Sequence, residues 1–131
     1  MTSSARFKDG IKPMNNASEA LFGLKPVTFR YKKEIDPARI SQFGLVAEDV
    51  EKTNPDLVVR DKYGKPYSVR YDQVNAMLLN EFLKEHAVFI REQRKLERLE
   101  KQVGTLTAGL QKVSAQLEAS KPLPQTVLNN Q

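Results

Sequence analysis

An apolar repeat in the last third of the chain is the feature that most limits how it can fold. From Asp72 to Ser120 the sequence contains no proline. Within this stretch, apolar residues recur in steps of three and four, at Leu96, Leu99, Val103, Leu106, Leu110, Val113 and Leu117. This spacing fills the a and d positions of successive heptads, which is the pattern of a coiled-coil helix.

The length of this helix favours packing against other copies of the chain. The alternative is a single amphipathic helix that packs on the core of its own domain. A helix from residue 72 to 120 would be roughly 70 Å long at about 1.5 Å per residue, and residues 17–71 are too few to cover it. We therefore predict a coiled coil. We call the row of seven a and d residues from Leu96 to Leu117 the seam. The seam mixes Leu and Val and contains no Asn, so this segment alone does not determine how many helices the coiled coil contains.

The beginning of the same helix, residues 72–90, is apolar over a broader surface than the seam. A helix of this kind is expected to pack on more than one side. We predict that it shares a core with the residues before it. The predicted core residues are Phe29, Tyr31, Leu45, Val46, Val58, Tyr71, Met77 and Phe82.

Residues 17–71 have the pattern of a small α+β unit. The sequence ASEALFGL (17–24) predicts a short helix, with Asn16 or Ser18 as its N-cap. The alternation in PVTFRYKK (26–33) is typical of a strand. These two elements open the predicted unit.

The second half of this unit is predicted to contain a helix and a hairpin. Residues 43–57 start apolar and then become helical, and Pro55 ends the helix because it moves Asn54 out of the helical region. Residues 57–71 read as two strands joined by a turn at 61–65, which contains Gly64. The predicted fold class is therefore α+β, followed by the long C-terminal helix.

Composition excludes several classes of site and partner. The chain of 131 residues has no cysteine, so it has no disulfide and no thiolate metal site. It has no glycine-rich phosphate loop or zinc-ligand spacing, and we predict no cofactor and no metal. The single histidine, His86, is interpreted as a surface or packing residue. No apolar run approaches the roughly 20 residues of a membrane span, so no membrane partner is predicted.

The net charge of +5 is concentrated in residues 1–33. A basic surface there is interpreted as a solvated face, because clustered Lys/Arg and interleaved aromatic residues are lacking. The segment REQRKLERLEK (91–101) suggests a DNA-binding basic zipper as an alternative. Its basic residues alternate with Glu92, Glu97 and Glu100, which disfavours phosphate binding. We therefore predict no nucleic-acid partner.

A serine and a lysine near the N terminus are the remaining candidates for chemistry. Ser3 and Lys8 lie five residues apart in SSARFKDGI, and a Ser–Lys pair is one arrangement of nucleophile and base. The lysine must lose its proton to act, which requires burial or a neighbouring cation such as Arg6. This spacing alone occurs by chance in most proteins of this size, so it does not establish a site.

Four motifs in order add to this interpretation. They are SSARFKDGI, then EALFGLKPVTFRYKK, then FGLVAEDVEKTNPDLVV, then VRYDQVNAMLLNEFLKE, before the coiled-coil helix. With these four motifs in this order, the chain resembles the peptidase S74 family over about residues 3–100. Members of that family are C-terminal intramolecular chaperone domains of phage tail spikes, tail fibres and endosialidases. Relatives occur in bacterial surface proteins and in a eukaryotic membrane-bound transcription factor.

The resemblance implies a trimeric, self-cleaving chaperone. It places the family's nucleophile on Ser3 and its general base on Lys8, with cleavage at Thr2–Ser3, in a single-turnover serine autoprotease. It also implies a parallel three-stranded coiled coil. The partners would be two more copies of the chain and an upstream fibrous stalk in a precursor from a phage tail fibre, tail spike or bacterial surface protein.

One position departs from the family pattern. Ser4 stands where the family has aspartate, which leaves the cleavage activity open. A shifted alignment would place the nucleophile on Ser4 instead, with its spacing to Lys8 wrong by one residue. The alternative function is a trimerisation and assembly module that does not cleave.

The chain is predicted to divide into four segments. Residues 1–16 form the self-cleavage segment, and residues 17–90 form the chaperone domain with the start of the long helix. Residues 91–120 form the coiled coil. Residues 121–131 contain two prolines and form a flexible tail.

Overall fold

A computed structural model describes residues 2–122 of the chain. After short 3-10 helices at Ala5–Phe7 and Asn15–Gly23, the elements are β1 (Val27–Phe29), β2 (Gln42–Gly44), α1 (Ala47–Thr53), a 3-10 turn at Pro55–Leu57, β3 (Val58–Arg60), β4 (Pro66–Val69) and α2 (Tyr71–Ser120). The predicted α+β class with a long C-terminal helix is confirmed. The predicted tail lies outside the described residues beyond Pro122.

The strands form two separate antiparallel pairs. β1 pairs with β2, with Val27 opposite Gly44, and β3 pairs with β4, with Val58 opposite Val69. The turn at 61–65 closes the second pair as predicted. The Asp61 carboxylate accepts the backbone N–H groups of Tyr63 and Lys65 at 2.8 and 3.0 Å. Gly64 has φ +79°, a value that glycine adopts without steric cost.

Pro55 ends α1 as the sequence predicts. Asn54, which precedes it, is extended with φ −154° and ψ 101°, as expected for a residue before proline. Its side-chain oxygen accepts the N–H of Asp56 at 3.0 Å and so caps the next 3-10 turn. The helix predicted at 17–24 is present as the 3-10 helix Asn15–Gly23, but neither Asn16 nor Ser18 caps it, because its N-cap is Met14.

By its internal contacts the chain forms two units, Met1–His86 and Ala87–Gln131. The core of the first unit is small and lies between α1, the β3–β4 hairpin and the first turns of α2. Its buried apolar residues are Val50, Leu57, Val58, Val69, Val74 and Met77. No helix within the described part of the chain is both long and apolar enough to cross a membrane.

The predicted core is correct only in part. Val58 and Met77 are buried, and Phe29 and Leu45 are half-buried. The other four are exposed in the single chain, namely Tyr31, Val46, Tyr71 and Phe82, with Phe82 65% exposed. The reason is that Val74, Met77 and Glu81, at helical spacing, are the buried residues of α2. The expectation that this helix packs on several sides is therefore wrong within one chain.

Substitution of Met77 and of Phe82 by alanine should distinguish the buried side chain of Met77 from the exposed side chain of Phe82. Met77→Ala should lower the free energy of unfolding by about 2–5 kcal/mol, as for other buried side chains. Phe82→Ala should change it by no more than about 0.5 kcal/mol in dilute, monomeric protein, as for surface sites. Urea unfolding, with light scattering to establish the monomer, measures both. Equal, large losses in the monomer would contradict this assignment of the core.

Candidate functional site

The predicted nucleophile and base lie on an exposed N-terminal segment. Every residue from Thr2 to Pro13 is exposed. Between Ser3 and Lys8 the chain makes a 3-10 turn, in which the N–H of Phe7 donates to Ser4 O at 3.1 Å and that of Lys8 to Ala5 O at 3.0 Å. Within the described residues, no hydrogen bond joins the side chains of Ser3 and Lys8. Their assignment to a catalytic pair stays a prediction.

The cation expected to act on Lys8 has another contact in the single chain. The Arg6 guanidinium carbon lies 4.6 Å from the centroid of the Phe7 ring, a cation–π contact. Lys8 itself is exposed. Since a lysine becomes a base at neutral pH through burial or a nearby cation, the chemistry predicted for this segment requires further packing around Lys8.

Two of the sequence motifs meet in the first unit. The hydroxyl oxygen of Tyr71 accepts a hydrogen bond from the backbone N–H of Leu45 at 2.9 Å. Tyr71 belongs to the motif VRYDQ, and Leu45 belongs to the motif FGLVAEDV. A Cβ on Gly44 would lie 2.9 Å from that hydroxyl and 3.1 Å from the Phe29 ring. Gly44 is therefore needed for the close approach of β1, β2 and the start of α2.

A buried polar cluster joins the N-terminal 3-10 helix to α2. The fully buried Ser18 donates its hydroxyl to Glu81 Oε1 at 2.6 Å. Asn80 Nδ2 donates to Ser18 Oγ at 2.7 Å, and Lys84 Nζ donates to the same Glu81 oxygen at 2.7 Å. The cluster therefore gives the buried carboxylate two donors, and one is cationic.

These contacts lower the pKa of Glu81 below its usual value of 4.5. The Lys84 hydrogen bond is the main cause, the Ser18 hydroxyl adds to it, and burial opposes both. Sequence reasoning missed this cluster. A signal was present: Glu81 lies at helical spacing from Val74 and Met77, where an apolar residue is usual, and Lys84 follows three residues later.

The lowered pKa of Glu81 should make part of the stability dependent on pH. A carboxylate with a depressed pKa stabilises the fold above its unfolded pKa, and this contribution is lost as the pH falls through the folded pKa. As the pH is lowered from about 5, the free energy of unfolding of the parent should therefore fall more than that of Glu81→Gln. Urea unfolding midpoints at each pH measure this difference. Glu85→Gln, an exposed position on the same helix, is the control and should follow the parent. Parallel curves for the parent and Glu81→Gln would contradict the assignment.

The coiled-coil seam is uncovered in the single chain. Its seven residues, from Leu96 to Leu117, are each between 44% and 72% exposed. All of them lie on α2, in the unit Ala87–Gln131. A row of apolar side chains along one helix is a candidate interface, since such patches are seldom left in water.

The described residues include no metal-binding arrangement. Among residues 2–122, no group of three or more His, Asp or Glu side chains is placed to hold a metal ion. His86 is exposed, and its ring stacks on that of Phe82 with centroids 6.2 Å apart.

Comparison with known families identifies the N-terminal part of the chain. The Peptidase_S74 model, described as "Chaperone of endosialidase", matches residues 3–59. The resemblance inferred from the motifs is thereby confirmed over these residues, which make up less than half of the chain. The match begins at Ser3 and ends within β3, so β4 and α2 lie beyond it. No curated protein matches the chain in sequence.

Proposed function

We propose that this chain is an intramolecular chaperone that trimerises, registers an upstream fibrous, β-rich chain, and then releases itself by cutting before Ser3. The observation that carries the proposal is the uncovered seam of α2, whose apolar residues need partners of the same kind. The matched family, described as a chaperone of endosialidase, supports the chaperone role. The number of three strands comes from the family resemblance.

The physical advantage of such an arrangement lies in the order of events. A trimeric β-rich stalk needs pairing between distant parts of separate chains, which is slow and open to wrong registers. A coiled coil forms from local contacts. Once it has formed, it holds three stalk chains at a high effective concentration and in one register.

Release would proceed as an attack within one chain. Ser3 Oγ attacks the carbonyl carbon of Thr2 while Lys8 Nζ accepts the hydroxyl proton. The peptide bond breaks as the Ser3 nitrogen takes that proton from Lys8, which leaves an ester between Thr2 and Ser3 Oγ. Water then hydrolyses the ester and frees the chaperone with Ser3 as its first residue.

Cleavage is proposed to follow assembly. In an unfolded chain a lysine has a pKa near 10.4 and stays protonated at neutral pH. Lys8 is exposed in the single chain, so packing between subunits is the proposed source of the burial that makes it a base. This order ensures that the stalk is released only after the trimer has formed.

A second candidate function is an assembly module without cleavage. Ser4 stands where the family has aspartate. Ser4 is the N-cap of the 3-10 helix Ala5–Phe7, but its side chain makes no capping hydrogen bond there. If the missing carboxylate orients the nucleophile or the base, the chain assembles its client and stays attached. The two candidates share the coiled coil and differ only in the N-terminal segment.

Expression of a trimeric β-stalk with and without this chain at its C terminus tests the assembly role. With the chain attached, we expect a soluble stalk trimer, because the coiled coil aligns the three strands before they pair. Without it, we expect aggregated or misregistered stalk. A stalk that assembles equally well alone would contradict the proposed function.

A further inference from the structure

The buried cluster around Glu81 has a second set of contacts, which fix the chain where the N-terminal segment leaves the domain. Asn80 Nδ2 donates to the backbone oxygen of Asn15 at 2.9 Å, in addition to its bond to Ser18. Lys84 Nζ also approaches that oxygen, at 3.4 Å. Two side chains of α2 thus converge on one carbonyl at the start of the 3-10 helix.

Asn15 marks a change in the direction of the backbone. Its φ of +49° lies in the left-handed region, which is uncommon outside glycine and more accessible to asparagine. The residues before it, from Thr2 to Pro13, are exposed, whereas Ser18 three residues later is fully buried. Met14, which directly precedes Asn15, is half-buried and packs on the core. The conformation of Asn15 therefore orients Met14 and, with it, the exposed segment that carries Ser3 and Lys8.

The chemistry of the cluster suits orientation better than stability alone. The Glu81–Lys84 ion pair should add little net stability, because the Lys84 side chain is 37% exposed and solvent-exposed ion pairs contribute little. Hydrogen bonds, by contrast, are directional. Glu81 receives donors from Ser18 and from Lys84, Asn80 binds both Ser18 and Asn15, and no buried side-chain polar atom in the described residues lacks a partner. These bonds join the 3-10 helix to α2 at several points and so restrict how the two elements can be oriented.

We propose that Ser18, Asn80, Glu81 and Lys84 form a polar latch that holds Asn15 in its left-handed conformation and thereby positions the N-terminal segment for cleavage. These are positioning residues, since none of them is proposed to touch the reacting bond. The part that concerns cleavage rests on the proposed function, whereas the part that concerns orientation does not.

A distance measurement tests the orientation. The chain has no cysteine, so Asp9→Cys and Lys52→Cys allow two spin labels, one on the segment and one on α1. Double electron–electron resonance, with labelled chain diluted in unlabelled chain, should give one narrow distance in the parent. Glu81→Gln and Ser18→Ala should broaden it, and the control Glu85→Gln should leave it narrow. Equally narrow distances in both latch variants, in protein that circular dichroism shows to be folded, would overturn the proposal.

Cleavage of a stalk fusion supplies the second measurement. At a temperature where all variants are folded, a merely structural role would leave the rate unchanged. A positioning role should slow it by about a hundredfold in Glu81→Gln and Ser18→Ala, the effect of a displacement near 1 Å. A broadened distance with an unchanged rate would overturn the role in cleavage. If the parent fusion does not cleave, the proposed release fails, and the distances alone decide on the latch.

Discussion

Ser3→Ala is expected to abolish cleavage in a fusion of this chain to an upstream stalk. The substitution removes the only atom proposed to attack the Thr2 carbonyl, and it changes an exposed residue, so assembly should be unaffected. Intact-mass analysis should show two products from the parent and one full-length chain from Ser3→Ala. The parent should be cleaved without any added protease, because the proposed reaction occurs once within each chain.

Substitutions of Lys8 distinguish a base from a positive charge. Lys8→Ala removes the proposed proton acceptor, and Lys8→Arg keeps a charge that stays protonated in proteins. Both should be inactive. Lys12→Arg, at another exposed lysine of the same segment, is the matched control and should cleave like the parent. Cleavage by Lys8→Arg at the parent rate would show that Lys8 is not the base.

Ser4→Asp tests the departure from the family pattern. It restores the carboxylate that the family has after the nucleophile, and we expect it to speed cleavage if that group orients Ser3 or Lys8. A full-length trimer that persists for days in both the parent and Ser4→Asp would favour the assembly module without cleavage. Such a result would not contradict the predicted coiled coil.

Leu106→Asp is expected to dissociate the proposed trimer. Leu106 lies at a d position in the middle of the seam and is 72% exposed in the single chain, so in the trimer its burial would come from partner chains. Burial of a leucine contributes about 1.5–3 kcal/mol. Three copies together should lose at least about 4.5 kcal/mol, which weakens association by roughly a thousandfold. Unpaired carboxylates inside the seam should add to this loss.

Ala108→Asp is the matched control for Leu106→Asp. Ala108 lies at an f position, on the side of the helix opposite the seam, and it is exposed. Ala108→Asp introduces the same charge as Leu106→Asp and lowers the helix propensity by a similar amount. Size-exclusion chromatography with light scattering should give a trimer for Ala108→Asp and a monomer for Leu106→Asp. Equal masses for the two variants would show that the seam does not hold the assembly together.

Local signals predicted most of the fold of the first unit. The hairpin at 57–71 followed from Asp61 and Gly64, whose side-chain oxygen and positive φ form the turn. The end of α1 followed from Pro55, and α2 followed from its apolar period and the lack of proline. These features depend on residues close in sequence, which is why the sequence alone was enough.

Long-range packing was harder to predict. The apolar character of Phe82 and Tyr31 indicated burial, but it does not distinguish a core within the chain from a surface that contacts another chain. Ser18 was predicted as a possible helix cap because serine commonly has that role. Its actual partner, Glu81, lies 63 residues away, and no local pattern connects two such positions.

The assignment of Ser3 and Lys8 to a catalytic site stays a prediction. The family match starts at Ser3, in agreement with the motif that suggested the nucleophile. The spacing of Ser3 and Lys8 carries no information on what surrounds Lys8, because the segment is exposed in the single chain. The proposed cleavage would need surroundings for Lys8 that the single chain does not provide.

Sedimentation equilibrium of the unmodified chain over a range of concentrations tests whether the chain trimerises through the seam. We expect three times the chain mass of 14.9 kDa, with reversible dissociation to monomer at the lowest concentrations. A mass of 14.9 kDa at every concentration would contradict this expectation.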